Sequence, residues 1–518
     1  MSSKSVRTSL NIPLNRVEGD LEIQAAIEDG CITEARSSGT MYRGFENMMT
    51  GRGTLDGLVI TPRICGICSL SHLTAAVEAL EDISGTTPPD NARRLRNLAL
   101  MVEMLQSDIR QSILMFMVDF TNEGAYASHP LSSLLMERYA PLSGTSAIQS
   151  IQETRRLLEV VAIIGGQWPH TSFMVPGGVT SSLGTPELLR CCMIIENFQS
   201  WYEKNVLGCS ISRWHQVDSA QAMLDWLEEK ESHRQGDLGL FLRLAYDAGL
   251  DTMGQGPDGF LCYGGLPLPE HTEVKGQQGQ FIPAGFARHG SIQAFDPANI
   301  AEDISQCPYS QKHTSVHPWD SSTNPDPYAP RENSYSWIKA PRYNGHAVET
   351  GPLAEMLVRR DPLFTDLIQR QGSSVLSRQL ARLTRPARLI PAMLAWLREL
   401  SSNPQGKFYH RVKKIPDGQG AGLIQAVRGG LGHWVQIVDQ KIEHYQIITP
   451  STWNGSPRDG DNNPGAWEKA LEGTFIKNPE NPVEAGHVVR SFDPCLVCAV
   501  HSLHRGRKKG VLVLGGGF

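Results

Sequence analysis

Apolar and polar positions change rhythm several times along the chain. Near the start, LEIQAAI and CITEAR alternate on either side of Glu28-Asp29-Gly30. An Asp-Gly between two such runs predicts a β-hairpin. A loop follows, and it holds the stretch RICGICSLSH, Arg63 to His72. The rhythm then turns helical: Leu95, Leu98, Val102, Leu105, Ile109, Ile113 and Phe116 recur every three or four positions, the mark of one apolar helix face. Residues 145–164 give a shorter stripe. Thr185-Pro186-Glu187 predicts a helix start, with Thr185 as N-cap and Pro186 in the first helical position; Leu188, Cys192, Ile195, Phe198 and Tyr202 carry its stripe. A fourth helical pattern covers 373–400, where Pro386 and Pro391 should kink or split it. Residues 255–335 are rich in Gly, Pro, Asp and Ser and read as loops and short strands; so long an irregular stretch is uncommon unless functional. HWVQIVDQKIEHYQII, 433–448, predicts a second hairpin turning at Asp439-Gln440. The expected architecture is α+β: a central bundle of long helices with small peripheral sheets and hairpins.

Composition narrows the function classes. With 518 residues, 40% hydrophobic, 20% charged and a net charge of -6, the chain is globular and lacks the basic surface that nucleic acid demands. The charged fraction is slightly below the usual level of about 25%, as expected where much surface is buried in a core or against a partner. MSSKSVRTSLNIPLNRVEGD has no apolar core region of a secretory signal, and no apolar run is long enough to span a bilayer. The expectation is a cytoplasmic chain whose membrane association, if any, comes through partners.

Six of the ten cysteines, Cys31, Cys191, Cys192, Cys209, Cys262 and Cys307, sit in mixed or apolar surroundings and read as buried thiols. The other four form two Cys-x-x-Cys pairs, Cys65/Cys68 and Cys495/Cys498. Each such turn can aim two thiolates at one ion, and four soft thiolates select zinc, copper(I), iron or nickel over magnesium or calcium. Spacing alone leaves a structural zinc site and a redox dithiol open. Two features argue against zinc: the pairs lie 427 positions apart, Cys68 to Cys495, and their flanks, Arg63 before one, Asp493-Pro494 before the other and a histidine after each, are not those of a zinc ribbon.

Those flanks are specific. RICGICSLSH resembles the N-terminal metal motif of nickel–iron hydrogenase large subunits, and DPCLVCAVH, 493–501, resembles their C-terminal one. RVEGD at 16–20, YRGFE at 42–46, GGQWPH and VPGGV within 165–179, YSWIKAPRY at 335–343 and ETGPLAEM at 349–356 match further landmarks in the family's order. So do VRGGLGHW at 427–434, YQIITPSTWN at 445–454 and SPRDG at 456–460, so the likeness covers nearly the whole chain.

The resemblance implies a nickel ion on Cys65, Cys68, Cys495 and Cys498, with Cys68 and Cys498 bridging to an iron that carries cyanide and carbon monoxide installed by maturation proteins. It implies reversible heterolytic cleavage of dihydrogen, with electrons leaving through iron–sulfur clusters of a separate small subunit. Glu18 would relay the proton. Arg428 would overhang the metals, held by Asp493 and Asp119; Val427 and Gln425 stand where the family usually has a proline and an acidic residue. His72 would hydrogen-bond a bridging sulfur. Glu46, the Ile447 carbonyl and His501 would hold a magnesium ion. Ile67 and Val118 lie near a narrowing of the family's gas tunnel, and both also read as ordinary core residues. The implied organisation is one large-subunit unit, 1–501: an N-terminal hairpin and metal loop to 75, a helical bundle over 90–400 with 255–335 as an irregular insertion, and a C-terminal hairpin and metal motif over 420–501. The remaining 502–518 would be an extension of the kind that an endopeptidase removes. The expected activity is hydrogen uptake; hydrogen-sensing subunits that signal to a histidine kinase share the same motifs.

Overall fold

The computed structural model describes residues 7–269, 279–311, 313–326 and 334–499. Its first element is a three-stranded antiparallel sheet, Arg7–Leu14, Leu21–Glu28 and Cys31–Gly39. The second and third strands are the predicted hairpin, and Asp29 and Gly30 both take positive φ, 51 and 84, as a twisted two-residue turn requires. The second predicted hairpin pairs Gly429–Val438 with Lys441–Ile448, turning at Asp439 and Gln440 with φ 50 and 61. A third strand, Gly418–Ala426, completes that sheet.

Four long helices lie between these sheets: Asp90–Arg110, Thr145–Leu157, Thr185–Trp201 and Val375–Ser402. The first and third each pack on both of the others, which gives the central bundle. One core cluster includes residues from Ile12 to Cys498. Residues 255–335 are richer in strands than expected, with Gly259–Pro267 paired to Gln280–Arg288 and short strands beyond.

Three local expectations change. Gly184, not Thr185, is the N-cap of the Thr185–Trp201 helix, with Pro186 in its first turn. Cys191 is the buried member of the neighbouring cysteines, while Cys192 is only partly covered. Most tellingly, Val375–Ser402 stays one continuous helix through Pro386 and Pro391. Proline removes a ladder donor and orphans the carbonyl four residues before it, and polar side chains from neighbouring elements lie beside the helix near both prolines. Tyr202 Oη donates to the Leu383 carbonyl at 2.7 Å, three residues before Pro386, and His215 lies against the Ala387 backbone, four residues before Pro391.

The helix Ser69–Ser84, which starts directly after Cys68, lies on the Gly418–Ala426 strand. That approach needs bare backbone: a Cβ on Gly422 would sit 1.8 Å from the Ala75 carbonyl oxygen, and one on Gly420 2.5 Å from that of Ala79. Gly422→Val should therefore push the helix off its sheet, cost about 1–3 kcal/mol as an overpacking change, and lower the melting temperature. Calorimetry of the assembled protein checks this; an unchanged melting temperature would mean the helix can shift freely.

Candidate metal centre

Each cysteine pair sits where a loop becomes a helix. Cys68 precedes Ser69–Ser84, and Cys495 precedes the short turn Leu496–Ala499. The first helix start is anchored by Glu103, a buried acid on Asp90–Arg110. Its carboxylate accepts from Leu70 N at 2.8 Å, Ser71 N at 2.9 Å and Ser71 Oγ at 2.7 Å, and burial raises it to about 7. Cys495 N donates to Ser451 Oγ at 2.9 Å. Arg43 stitches the two motifs together: Nη1 reaches the Ile64 carbonyl and, at 3.0 Å, the Val497 carbonyl, and Nη2 the Arg63 carbonyl at 3.2 Å.

The four sulfurs meet in the core. Cys65 Sγ lies 3.6 Å from Cys495 Sγ, Cys68 Sγ 3.4 Å from Cys498 Sγ, and Cys495 Sγ 3.0 Å from Cys498 Sγ. Cys65, Cys68 and Cys498 lie mutually within 4.8 Å, and all four cysteines are buried. Hydrogen bonds from Cys495, Cys498 and Cys68 hold the Cys65 thiol well below its usual range, while hydrogen bonding to Cys495 pushes up Cys68, and burial pushes up Cys498. Such a quartet suits one soft ion that all four can share.

Arg428 overlooks it. Burial opposes its charge, but Asp493, then Cys495, Cys68 and Cys65, hold the guanidinium above its ordinary range. Its Nε lies 3.0 Å from Asp493 Oδ2. Nη1 is buried and has no hydrogen-bond partner among the described residues, a donor that an anionic ligand at the centre would satisfy.

Asp119 is a correction. Its partners are Arg490, whose Nη1 meets Oδ1 and Oδ2 at 2.8 and 2.7 Å, and Arg16. The acid that supports the Arg428 turn alongside Asp493 is Asp108: it grips Arg385 at 2.8 and 2.7 Å, and Arg385 Nη2 donates to the Val427 carbonyl at 2.7 Å.

Glu18 joins the centre through its backbone. Leu496 N donates to the Glu18 carbonyl at 2.6 Å, and Glu18 N to that of Pro494 at 3.4 Å. One flank of Glu18 is exposed, yet enough is enclosed for burial to raise its carboxyl; Cys65 adds to this, and Arg428 and Arg43 oppose it. His72, one turn after Cys68, sits with Nδ1 3.1 Å from His433 Nε2, and His433 Nδ1 lies 2.9 Å from Tyr445 Oη. Ile67 is partly buried against the core, and Val118 is buried.

A second cluster lies beyond. Glu46 is buried on Phe45–Met49, a short helix that packs on the strand carrying Ile447. Burial raises Glu46 to about 7 against the pull of Lys339 and His444. Glu302 is close by: its Oε2 is buried with no hydrogen-bond partner among the described residues, and Gln446 Nε2 donates to its Oε1 at 3.2 Å. Such hard oxygens suit a small divalent cation. His501 lies outside the described residues.

Sequence reasoning passed over Arg43, Glu103, Asp108, Arg385 and Arg490. A lone acid inside the apolar run LALMVEML, 98–105, is a readable signal for Glu103. The others act through backbone carbonyls or partners distant in sequence.

Comparison with known proteins agrees with this geometry. The model of the nickel-dependent hydrogenase family matches residues 43–122 and 125–501. The periplasmic [NiFeSe] hydrogenase large subunit of Desulfomicrobium baculatum is 30% identical, over 95% of this chain and 94% of that protein. The uptake hydrogenase large subunit of Rhodobacter capsulatus is 28% identical over 94% of each. Among solved structures, the reduced Ni-Fe-Se hydrogenase from D. vulgaris Hildenborough superposes with a TM-score of 0.80 at 28% identity, covering 96% of this chain and 100% of that one.

Arg43 offers a direct test of how the two motifs are held. Arg43→Lys keeps the charge but not the planar fork, and Arg43→Met loses both. Nickel content of the purified protein should fall several-fold in the first and further in the second; full occupancy in both would mean the loops stay together without this link.

Proposed function

Taking as premise that the chain belongs to the nickel-dependent hydrogenase family, we propose that Cys65, Cys68, Cys495 and Cys498 hold nickel, with Cys68 and Cys498 bridging to an iron that carries cyanide and carbon monoxide. The chain is the large subunit of a hydrogenase, an oxidoreductase acting on dihydrogen. The observation that carries the site reading is the buried quartet of sulfurs from opposite ends of the sequence, 3.0 to 3.6 Å apart along the contacts given above. When bound, the two metals supply the centre at which dihydrogen is cleaved heterolytically.

The chain's own residues then do three things. The core around the cysteines excludes water, so every charge in it acts strongly. Arg428, steadied by Asp493, presents a fixed cation and a free Nη1 donor to the anionic ligands. Glu18 takes the proton from the thiolate side and passes it outward through its exposed flank. A carboxyl raised by burial and by the charge of Cys65 suits that task because its affinity is closer to that of its donor. His72 and His433 tie the first turn of the helix after Cys68 to the C-terminal sheet.

Direction and setting extend the reading. Hydrogen uptake is favoured by relatives named for it. Electrons pass to a small subunit with iron–sulfur clusters. Ten free cysteines, with no disulfide among them, suit a reducing cytoplasm; no described helix is long and apolar enough to cross a membrane. Maturation proteins would install the iron ligands, and an endopeptidase would cut between His501 and Ser502, outside the described residues.

Glu46, the Ile447 carbonyl and His501 would hold magnesium, with Glu302 and Gln446 close by.

The experiment is metal analysis and infrared spectroscopy of the purified two-subunit complex, with dihydrogen oxidation measured using a dye acceptor. Nickel, iron and cyanide and carbonyl bands are expected. Glu18→Gln should keep those bands and lose proton–deuterium exchange by about two orders of magnitude or more. A zinc-only protein without such bands would sink the metal reading, and undiminished exchange in Glu18→Gln would move the relay elsewhere.

The second cluster predicts a pH dependence. With its pKa raised to about 7, Glu46 is protonated at lower pH. Without a cation, its contribution to stability is therefore present at low pH and lost as pH rises through about 7. A cation needs the ionised form, so magnesium affinity should weaken about tenfold per pH unit below 7. Calorimetric titration between pH 6 and 8 checks this, with Glu46→Gln expected to weaken binding and flatten the profile. A parent affinity that does not vary with pH would remove Glu46 from the site.

A further inference from the structure

Arg16, two positions before Glu18, has φ 54. That left-handed conformation is unfavourable for a residue with a Cβ, and it persists only where the surroundings over-determine it. Here they do. Arg16 Nη2 pairs with Asp119 Oδ1, and Asp119 is buried. The same carboxylate takes Arg490 Nη1 on both oxygens. Arg490 turns its other nitrogens on the residue before Arg16: Nε donates to the Asn15 carbonyl at 3.2 Å, and Nη2 to Asn15 Oδ1 at 2.9 Å. His487 Nδ1 is 3.4 Å from Asp119, and burial holds its pKa down at about 4. The positive charge facing Asp119 at neutral pH thus comes from the two guanidinium groups.

On the far side of Glu18 the chain is held again. Leu496 N grips the Glu18 carbonyl, and Gly19 has φ 89 with room for little more than a hydrogen: a Cβ there would lie 3.0 Å from Leu496 Cβ. Arg490 lies in the last turn of the Val483–Ser491 helix, three residues before Asp493 in the C-terminal motif. One carboxylate therefore ties together the segment that carries Glu18 and the segment that carries Cys495 and Cys498.

We propose that Asp119, acting through Arg490 and Arg16, is a positioning residue that fixes Asn15–Glu18 against the C-terminal metal motif and so aims the Glu18 carboxyl at the thiolate quartet. This rests on the reading of Glu18 as the proton relay. Arg16→Gly relieves the left-handed strain while removing one arm of the clamp, and the partly exposed Arg16 makes it a mild change for folding. Asp119→Asn removes the charge at the centre.

The test uses the assembled two-subunit enzyme. Amide hydrogen exchange, read by mass spectrometry, should show Leu496 exchanging about tenfold faster in both variants. Dihydrogen oxidation should fall about tenfold in turnover with KM unchanged. Because the clamp works through Glu18, that turnover penalty should vanish in a Glu18→Gln background, and Arg16→Lys should recover part of it. Unchanged protection of Leu496 would overturn the clamp. A penalty of equal size with and without Glu18 would overturn its positioning role. If Asp119→Asn fails to assemble, Arg16→Gly decides alone. Normal turnover in Glu18→Gln by itself would sink the relay reading, and the exchange measurement would still judge the clamp.

Discussion

Cys65 and Cys495, like Cys68 and Cys498, are separated by 430 positions, and their sulfurs must converge in a dry interior. Nearly everything distinctive in this fold serves that convergence. A Cys-x-x-Cys turn alone is a flexible loop. It becomes half of a rigid site only when its backbone groups are satisfied and its exit direction is fixed. Glu103 does this for the first pair by capping the helix that leaves Cys68. Ser451 does it for the second, and Arg43 spans both. The central bundle supplies the mass that keeps water out, and the glycine-rich Gly418–Ala426 strand lets the Cys68 helix lie directly on the sheet whose first turn carries Arg428.

Convergence of thiolates also demands compensating charge, and the interior is correspondingly ionic. Arg385 is held between Asp108 and Glu355, Arg378 by both oxygens of Glu349, and Arg490 by Asp119. Buried pairs of this kind contribute little net stability, since desolvation offsets most of the attraction, but breaking one partner is costly. Their value is in geometry. Each planar guanidinium fork admits few arrangements, so together they leave the Arg428 turn and the cysteine loops little freedom. An apolar core of equal volume would be as stable without specifying those positions so tightly.

This division explains which features could be read in advance. Both hairpins were legible because their turns are local: Asp29-Gly30 and Asp439-Gln440 carry positive φ at the centre of alternating runs. The four helical stripes and the two cysteine pairs were legible for similar reasons of short-range pattern. The prolines of Val375–Ser402 do not split it, because packing against the rest of the bundle holds a helix together where its local sequence would let it break. The resemblance matches Asp119 to an acid beside Arg428 only through the short stretch MFMVDF, 115–120. Its actual partners, Arg490 and Arg16, are 371 and 103 positions away, and no periodicity marks such a pairing. The backbone roles of Arg43 and Arg385 were invisible because a carbonyl acceptor leaves no trace in residue identity.

The position of Glu18 follows from the same conflict between burial and access. A group that takes a proton from a buried sulfur must sit close enough to feel the quartet, yet it must also reach the surface, or the proton is trapped. A fully buried acid without a guanidinium paired to it loses charge to desolvation, as Glu46 and Glu103 do in part, while a fully exposed one would not sense Cys65 at all. Glu18 lies at the seam, its main chain bonded to the Cys495 segment and one flank open. Such a seam has few packing contacts of its own to hold a side chain in place. Precision there has to come from the backbone on either side: the strained Arg16 before Glu18, and the tight approach of Gly19 to Leu496 after it. Strain beside the relay is therefore the expected consequence of placing a proton-transfer group at the boundary of a water-excluding core.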